Sequence, residues 1–363
     1  MSAVEHTRDY EGWLAAQIPH PLVAADLAFK HSVMSDADTP FPFFRATYYL
    51  WVKRWAAGAG ELADAPTVLA VGDTHLENFG TWRDGDGRLC WGVNDFDECD
   101  ELPYTHDLVR LAASVRFAKR GGSLKVKLPD ACERILTGYR ETMEAEGRPF
   151  VLEEHHPELR GMAMAADREP KKFWAKLTKL LRLPEADPPP TARAALAVDR
   201  PPGLTDFALR PRPEAGVGSL GRPRYVALAE WRGGWVCRET KATAPPATAW
   251  ALGKDVACRT GEAVGAAVRS HDPFYRQTDG WVARRLAPRS SKIELDLLEE
   301  VNVNRLLSAM GAETANVHLG TPLVAAAVLA DLNRRPAGWL LESARRFADL
   351  IERDRVEWRT APG

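Results

Sequence analysis

Asp73 and Asn78 stand five positions apart in V-G-D-T-H-L-E-N-F-G, and Asp95 follows in V-N-D-F-D-E. Carboxylate and amide oxygens on neighbouring loops suit magnesium, a hard cation that takes one or two carboxylates and completes its octahedron with phosphate oxygens and water. Asn78 and Asp95 could serve such a metal on a nucleotide, leaving Asp73 to accept a proton from an attacking hydroxyl. Any one of these residues could be an ordinary turn former. The set, each member following a strand-like run, points to chemistry. His75 lies between these acidic groups, where it is better suited to orienting the loop by hydrogen bonding than to ligating a metal.

A second constellation lies downstream. G-V-G-S-L-G (Gly216, Gly218, Ser219, Gly221) fits G-x-G-x-x-G and has strand-like sequence on both sides. That context disfavours a dinucleotide-binding crossover and favours a glycine-rich hairpin over phosphates, because backbone N–H groups approach phosphate oxygens where side chains are absent. W-V-C-R-E-T-K then ends in Lys241, placed to reach an α- or β-phosphate. Glu262 falls in the expected helix beyond it, as the carboxylate that would hold Lys241, with Glu230, Glu239 and Asp255 as competing partners.

Elements must carry these groups. Residues 20–60 repeat aromatic and apolar positions at helical spacing. A-P-T-V-L-A-V-G-D reads as a buried strand delivering Asp73. R-L-C-W-G-V-N-D, after the turn D-G-D-G, reads as a second strand delivering Asp95. Joined by a tight turn, the two would set both acidic loops at neighbouring ends. From His106 to about Lys119 the period is helical and ends at Gly121-Gly122. Residues 129–183 look mostly helical, and the basic stretch near Lys171 to Arg182 reads as a solvated face. Leu183 to Pro213 is proline-rich and is the expected linker. The segment 216–241 alternates about Gly233-Gly234 as antiparallel strands. A helix at Asp255–Arg269, a strand W-V-A-R-R-L and terminal helices follow.

A length of 363 residues suffices for two or three domain-sized units. The net charge of -2 argues against a nucleic-acid or membrane-surface binder. No apolar run is long enough to span a bilayer, and the N-terminus lacks the features of a signal peptide. Five scattered cysteines, with no C-x-x-C pair, argue against a disulfide framework or a zinc site and for a cytoplasmic protein.

Together these residues resemble the protein-kinase-like superfamily, and more closely the bacterial family called domain of unknown function 2252. The resemblance covers most of the chain, through P-F-F-R, G-D-T-H-L-E-N-F-G, N-D-F-D-E, H-D-L-V-R-L-A-A-S, G-V-G-S-L-G, E-T-K-A and N-V-H-L-G. The two central motifs are the specific ones. In aminoglycoside phosphotransferase-like kinases the catalytic loop reads G-D-x-H-x-x-N, and an aspartate followed by an aromatic marks the metal loop. The resemblance implies Asp73 as catalytic base, Asn78 and Asp95 as magnesium ligands, and Asp107 as the aspartate that buttresses the catalytic loop. Two departures stand out. Val71 occupies a position where related kinases often carry His, and the glycine loop and lysine follow the catalytic loop instead of preceding it.

The implied fold is α+β and two-lobed, protein-kinase-like and circularly permuted, with a small antiparallel sheet lobe and a mainly helical catalytic lobe. Residues 1–200 would form the catalytic region, 201–290 the nucleotide-covering sheet, and 291–363 helices packing back on the catalytic lobe. The implied function is ATP- and magnesium-dependent phosphoryl transfer to an unidentified hydroxyl acceptor, with no nucleic-acid or membrane partner. Alternatives are nucleotidyl transfer and a non-catalytic nucleotide sensor. A metallophosphoesterase, suggested by Asp73-x-His75, lacks the further G-N-H and G-H-x-H settings such sites require.

Overall fold

The computed structural model describes residues 1–120, 124–165, 169–184, 187–288, 290, 292, 293, 295 and 298–361; the expected helix end at Gly121-Gly122 lies outside them. The chain opens with α1 (Ala3–Gln17), α2 (Ala24–Met34), α3 (Pro40–Ala46) and α4 (Tyr48–Gly58). Ser2 and Glu5 start α1 with a reciprocal capping box, each side chain taking the other's backbone N–H at 3.1 and 2.7 Å. Thr47 leaves helical geometry and splits α3 from α4. The aromatic positions Phe43, Phe44, Tyr48, Trp51 and Trp55 are buried in the main core, as their spacing predicts.

Four short strands follow: β1 (Thr67–Ala70), β2 (Phe79–Arg83), β3 (Leu89–Val93) and β4 (Asp100–Pro103). β1 pairs antiparallel with β4, and β2 with β3. This corrects the expected pairing. The D-G-D-G turn joins β3 to β2, so the strand before Asp73 lies beside the strand after Asp95. Asp84 builds that turn by accepting N–H bonds from Asp86 and Arg88 at 3.1 and 2.9 Å. Both acidic loops still emerge together, one between β1 and β2 and the other between β3 and β4.

Next come α5 (Tyr104–Arg120), α6 (Leu128–Glu144), α7 (Leu152–His155), α8 (Pro157–Ala165), α9 (Pro170–Thr178) and α10 (Pro190–Ala197). With α10 and strand β5 (Ala208–Pro211), the proline-rich segment is built structure more than linker. Proline is tolerated in the first helical turn, and Ala192, Ala195 and Leu196 bury the face of α10. β6 (Arg224–Trp231), β7 (Gly234–Ala242), α11 (Ala247–Leu252), α12 (Thr260–Ala266), β8 (Arg276–Thr278) and β9 (Trp281–Leu286) complete the sheet half. The five strands run antiparallel in the order β5-β6-β7-β9-β8, and α12 is shorter than its expected span. On one face of this sheet Leu177 of α9 packs with Val226, Leu228, Cys237 and Leu286.

α13 (Glu300–His318), α14 (Val324–Arg334) and α15 (Trp339–Thr360) close the chain. Val303, Leu306, Leu307 and Met310 of α13 and Phe347 and Ile351 of α15 enter the same core as α4, α5 and α6. Among the described residues no helix is long and apolar enough to cross a membrane. All five cysteines are free, and burial pushes the Cys132 and Cys237 thiols up to about 12, so they pack as small apolar groups.

Candidate functional site

Helix α5 holds the loop before β2 at two points one turn apart. Asp107 is fully buried; its Oδ2 accepts the Val71 N–H at 2.7 Å and its Oδ1 the Gly72 N–H at 3.0 Å. His318, at the end of α13, lies 3.0 Å from Oδ2 through Nε2. Burial alone would raise this carboxyl, but hydrogen bonds from His106 and His318 hold it well below the usual range. Gly72 has φ +82°, and a Cβ there would lie 2.1 Å from the Glu98 carbonyl oxygen, so only glycine lets the two acidic loops pack.

The second point is Arg110. Its Nε donates to Asp73 Oδ1 at 2.8 Å, and its Nη2 reaches the same oxygen and the Phe44 carbonyl. The guanidinium is fully buried, 4.2 Å from the ring centre of Phe44 and 4.8 Å from that of Tyr48. Burial pushes the Asp73 carboxyl up, and Arg110 is the strongest opposing influence.

Asn78 clasps the two loops. Its Nδ2 donates to the carbonyls of Asp73 and Asp95, each at 3.1 Å, and its Oδ1 accepts the Asp95 N–H at 3.0 Å. The oxygen expected to face a metal already holds a backbone proton. His75 accepts the Glu77 N–H on Nδ1 at 3.1 Å, and its Nε2 lies 4.0 Å from Asp73 Oδ2. Burial, with Arg45 and Arg110 nearby, pushes the imidazole well down, so it is neutral and carries its proton on Nε2.

The sheet half meets these loops. Lys241 on β7 pairs with Asp97 and lies 3.4 Å from Asp95 Oδ1. Burial alone would raise the Asp95 carboxyl, yet Lys241 and Arg284 outweigh it and hold the group well below its ordinary value. The glycine segment forms a 3-10 turn, Val217–Ser219, between β5 and β6. A Cβ on Gly218 would lie 3.5 Å from Asp73 Oδ2, and Arg224 donates to Ser219 Oγ at 2.8 Å. Gly216 and Gly221 flank the turn with positive φ. Arg222, just past it, reaches Asp97 and Glu98 at 3.3 and 3.2 Å. Between the turn and the acidic loops a cavity of about 70 Å³ remains.

Glu262 is a correction. It does not meet Lys241; it lies in the first turn of α12, half exposed, and pairs with Arg259 three residues before it at 2.7 Å. Asp97 takes the lysine instead. Asp97 and Glu98 were visible as the continuation of D-F-D-E, Arg110 as the residue one turn past Asp107, and Arg222 as the neighbour of Gly221. The pairing of Arg45 with Glu77 had no sequence signal. Among the described residues no group of three or more His, Cys, Asp or Glu is disposed to hold a metal without help from a ligand.

Residues 22–180 match the model of the family DUF2252. Its description is an uncharacterized protein conserved in bacteria. No curated protein and no solved structure matches the chain. The DUF2252 span takes in both acidic loops and α5, and so Asp73, Asn78, Asp95, Asp107 and Arg110. The glycine turn, Lys241 and His318 lie beyond it.

Proposed function

We propose that the chain is an ATP- and magnesium-dependent phosphotransferase of protein-kinase-like, circularly permuted architecture, acting on a hydroxyl acceptor. The observation that carries this reading is the contact of Lys241 with the Asp95 loop at 3.4 Å, across 146 residues of chain. Further support comes from order within the sheet. The glycine turn joins its first two strands and the lysine stands on its third, as in protein kinases. The reach of His318 to Asp107 ties the C-terminal helices to the same loop.

Asp95 fits a metal bound mainly by phosphate oxygens. Its carboxylate is held ionised, and its side chain is about half exposed (49%) at the cavity. Asn78 Oδ1 keeps one lone pair beyond its bond to the Asp95 N–H. Magnesium, when bound there, would neutralise charge on the phosphate chain. The chain's own groups do the rest. Lys241 and the N–H groups of the glycine turn hold phosphate oxygens, and Arg110 fixes Asp73 through Oδ1, leaving Oδ2 to take the acceptor's proton. Neutral His75 braces the loop. A cavity of about 70 Å³ is far below the roughly 300 Å³ of small-molecule pockets, so nucleotide entry requires the sheet half to lift, exchanging the Lys241 and Arg222 ion pairs for phosphate contacts.

The closed cleft and the Arg110 bond to Asp73 favour a second reading, a non-catalytic nucleotide sensor. Thermal-shift titration with ATP, GTP and ADP, each with and without Mg²⁺, tests the common ground; magnesium-dependent stabilisation by at least one nucleotide is expected, and none would end both readings. Tracing α- and γ-labelled ATP into product separates phosphoryl from nucleotidyl transfer. Asp73→Asn should retain nucleotide binding and lose transfer; transfer retained in that variant would overturn the role of Asp73.

A further inference from the structure

Glu239 of β7 lies on the sheet face that carries Lys241 two residues on, and it is almost fully buried. Arginines from three parts of the sheet half converge on its carboxylate. Arg224 of β6 donates at 3.1 Å, Arg284 of β9 at 2.7 Å, and Arg212, one residue past β5, closes on the other oxygen. Three guanidiniums share one carboxylate. Burial, with a smaller push from Arg284 beside it, brings the Arg224 guanidinium down to about 10.

Arg284 gives Glu239 only its Nε. Its two Nη groups have no hydrogen-bond partner among the described residues, and its side chain is about one-third exposed. It borders a pocket of about 130 Å³ whose lining also includes Arg212, Arg285, Lys292, Asp272 and Asn94, the residue before Asp95; Lys292 is paired with Glu77 at 2.9 Å. Arg285 already bonds the Arg83 carbonyl at 3.0 Å, and Asp272 lies 3.8 Å from it. The volume is under half that of ordinary small-molecule pockets, which excludes a base and sugar together and suits compact anionic groups. A planar guanidinium fork matches phosphate oxygens two at a time.

We propose that the Arg284 wall is a phosphate-binding subsite that selects a polyphosphate chain, the tail of a nucleoside di- or triphosphate, with Glu239 as the internal counter-ion that keeps the guanidinium aimed. The proposal rests on the cleft reading above for the pocket's place in a nucleotide site, and on the pocket's own charge for its ligand. Asn94, which lines the pocket, is the residue before Asp95.

The test uses the full chain and compares tripolyphosphate, ATP, AMP, adenosine and sulfate at matched ionic strength, by calorimetry and thermal shift. Tripolyphosphate and ATP should bind at least tenfold more tightly than AMP, adenosine or sulfate. Arg284→Gln, which leaves Glu239 with two arginines, should weaken tripolyphosphate by on the order of tenfold. Arg284→Lys, which keeps charge and removes the fork, serves if the glutamine variant unfolds, and should weaken it several-fold. Sulfate binding as tightly as tripolyphosphate, or undiminished tripolyphosphate binding in a folded Arg284 variant, overturns the subsite. ATP binding that persists when the wall is removed would sink the subsite and leave the cleft reading intact. Tripolyphosphate binding that depends on Arg284 but gains nothing from the nucleoside supports the subsite and ends the nucleotide reading.

Discussion

Arg110 places both of its contacts to Asp73 on Oδ1, from a fully buried position among aromatic rings. Arg110→Met keeps the packing volume but leaves a largely buried carboxylate without its cation. Breaking one side of such a pair costs about 3–5 kcal/mol, so a loss of that order is expected in urea denaturation. Any transferase activity should fall with it, chiefly in kcat. Glu313 makes a different prediction. It accepts the Val93 N–H at 3.1 Å, and burial, outweighing Arg269 and Asn316, pushes its carboxyl up to about 7. Its folded value lies above the unfolded one, so the native state holds the extra proton between roughly pH 4.5 and 7 and stability falls as pH rises through that window. Glu313→Gln should remove that slope, worth up to roughly 3 kcal/mol, when denaturation midpoints are compared across those pH values. An unchanged slope would mean that Glu313 stays ionised in the fold.

Among the elements, the glycine turn and the loop after β3 are joined by Arg222, Asp97, Glu98 and Lys241, all buried or nearly so. Asp97→Asn leaves Arg222 and Lys241 short of a carboxylate and should destabilise the chain by about 2–4 kcal/mol, with faster hydrogen exchange across 216–223. Glu262→Ala removes only an exposed pair with Arg259. It should change stability by less than about 1 kcal/mol and leave any nucleotide-dependent thermal shift as it was. This contrast also shows where elements could be read from sequence and where they could not. The helical period of α5 and the alternation of β6 and β7 were legible in residue type, although α5 is buried on nearly every side and β6 and β7 on both faces over much of their length. β2 escaped notice because F-G-T-W-R shows no alternation and begins directly after Asn78, so in sequence it merges with the acidic loop. α10 and β5 were hidden by prolines taken as breakers, although Pro190 and Pro211 sit at the ends of elements, where proline is tolerated.

Taken as one molecule, the chain brings its two ends close together: the Ala3 N–H donates to Glu357 on α15 at 3.0 Å. The reading of the fold as a permuted two-lobed enzyme can therefore be tested directly. Linking the ends with a short Gly-Ser segment and opening the chain at the exposed turn at Gly203 would place the sheet first, α13 to α15 next and the acidic loops last. That chain should fold with a Tm within several degrees of the parent and show the same magnesium-dependent nucleotide shift. Failure to fold would mean that the order of the two halves is itself needed for assembly.

Residue types and short spacings were enough to single out both acidic loops, the glycine turn and Lys241, because each is a property of a few consecutive residues, whereas Asp107 came only from the family resemblance. The partners were not available there. Asp73 takes Arg110 from 37 residues away, and Asp107 takes His318 from 211. Lys241 passes over Glu262, twenty-one positions on, for Asp97, and Glu239 gathers its arginines from three strands or their ends. Spacing along a chain sets distance only within one element, whereas ion pairs and hydrogen bonds act below about 4 Å. Which charged groups come that close is decided only when the sheet, α5 and the C-terminal helices close on the same loops.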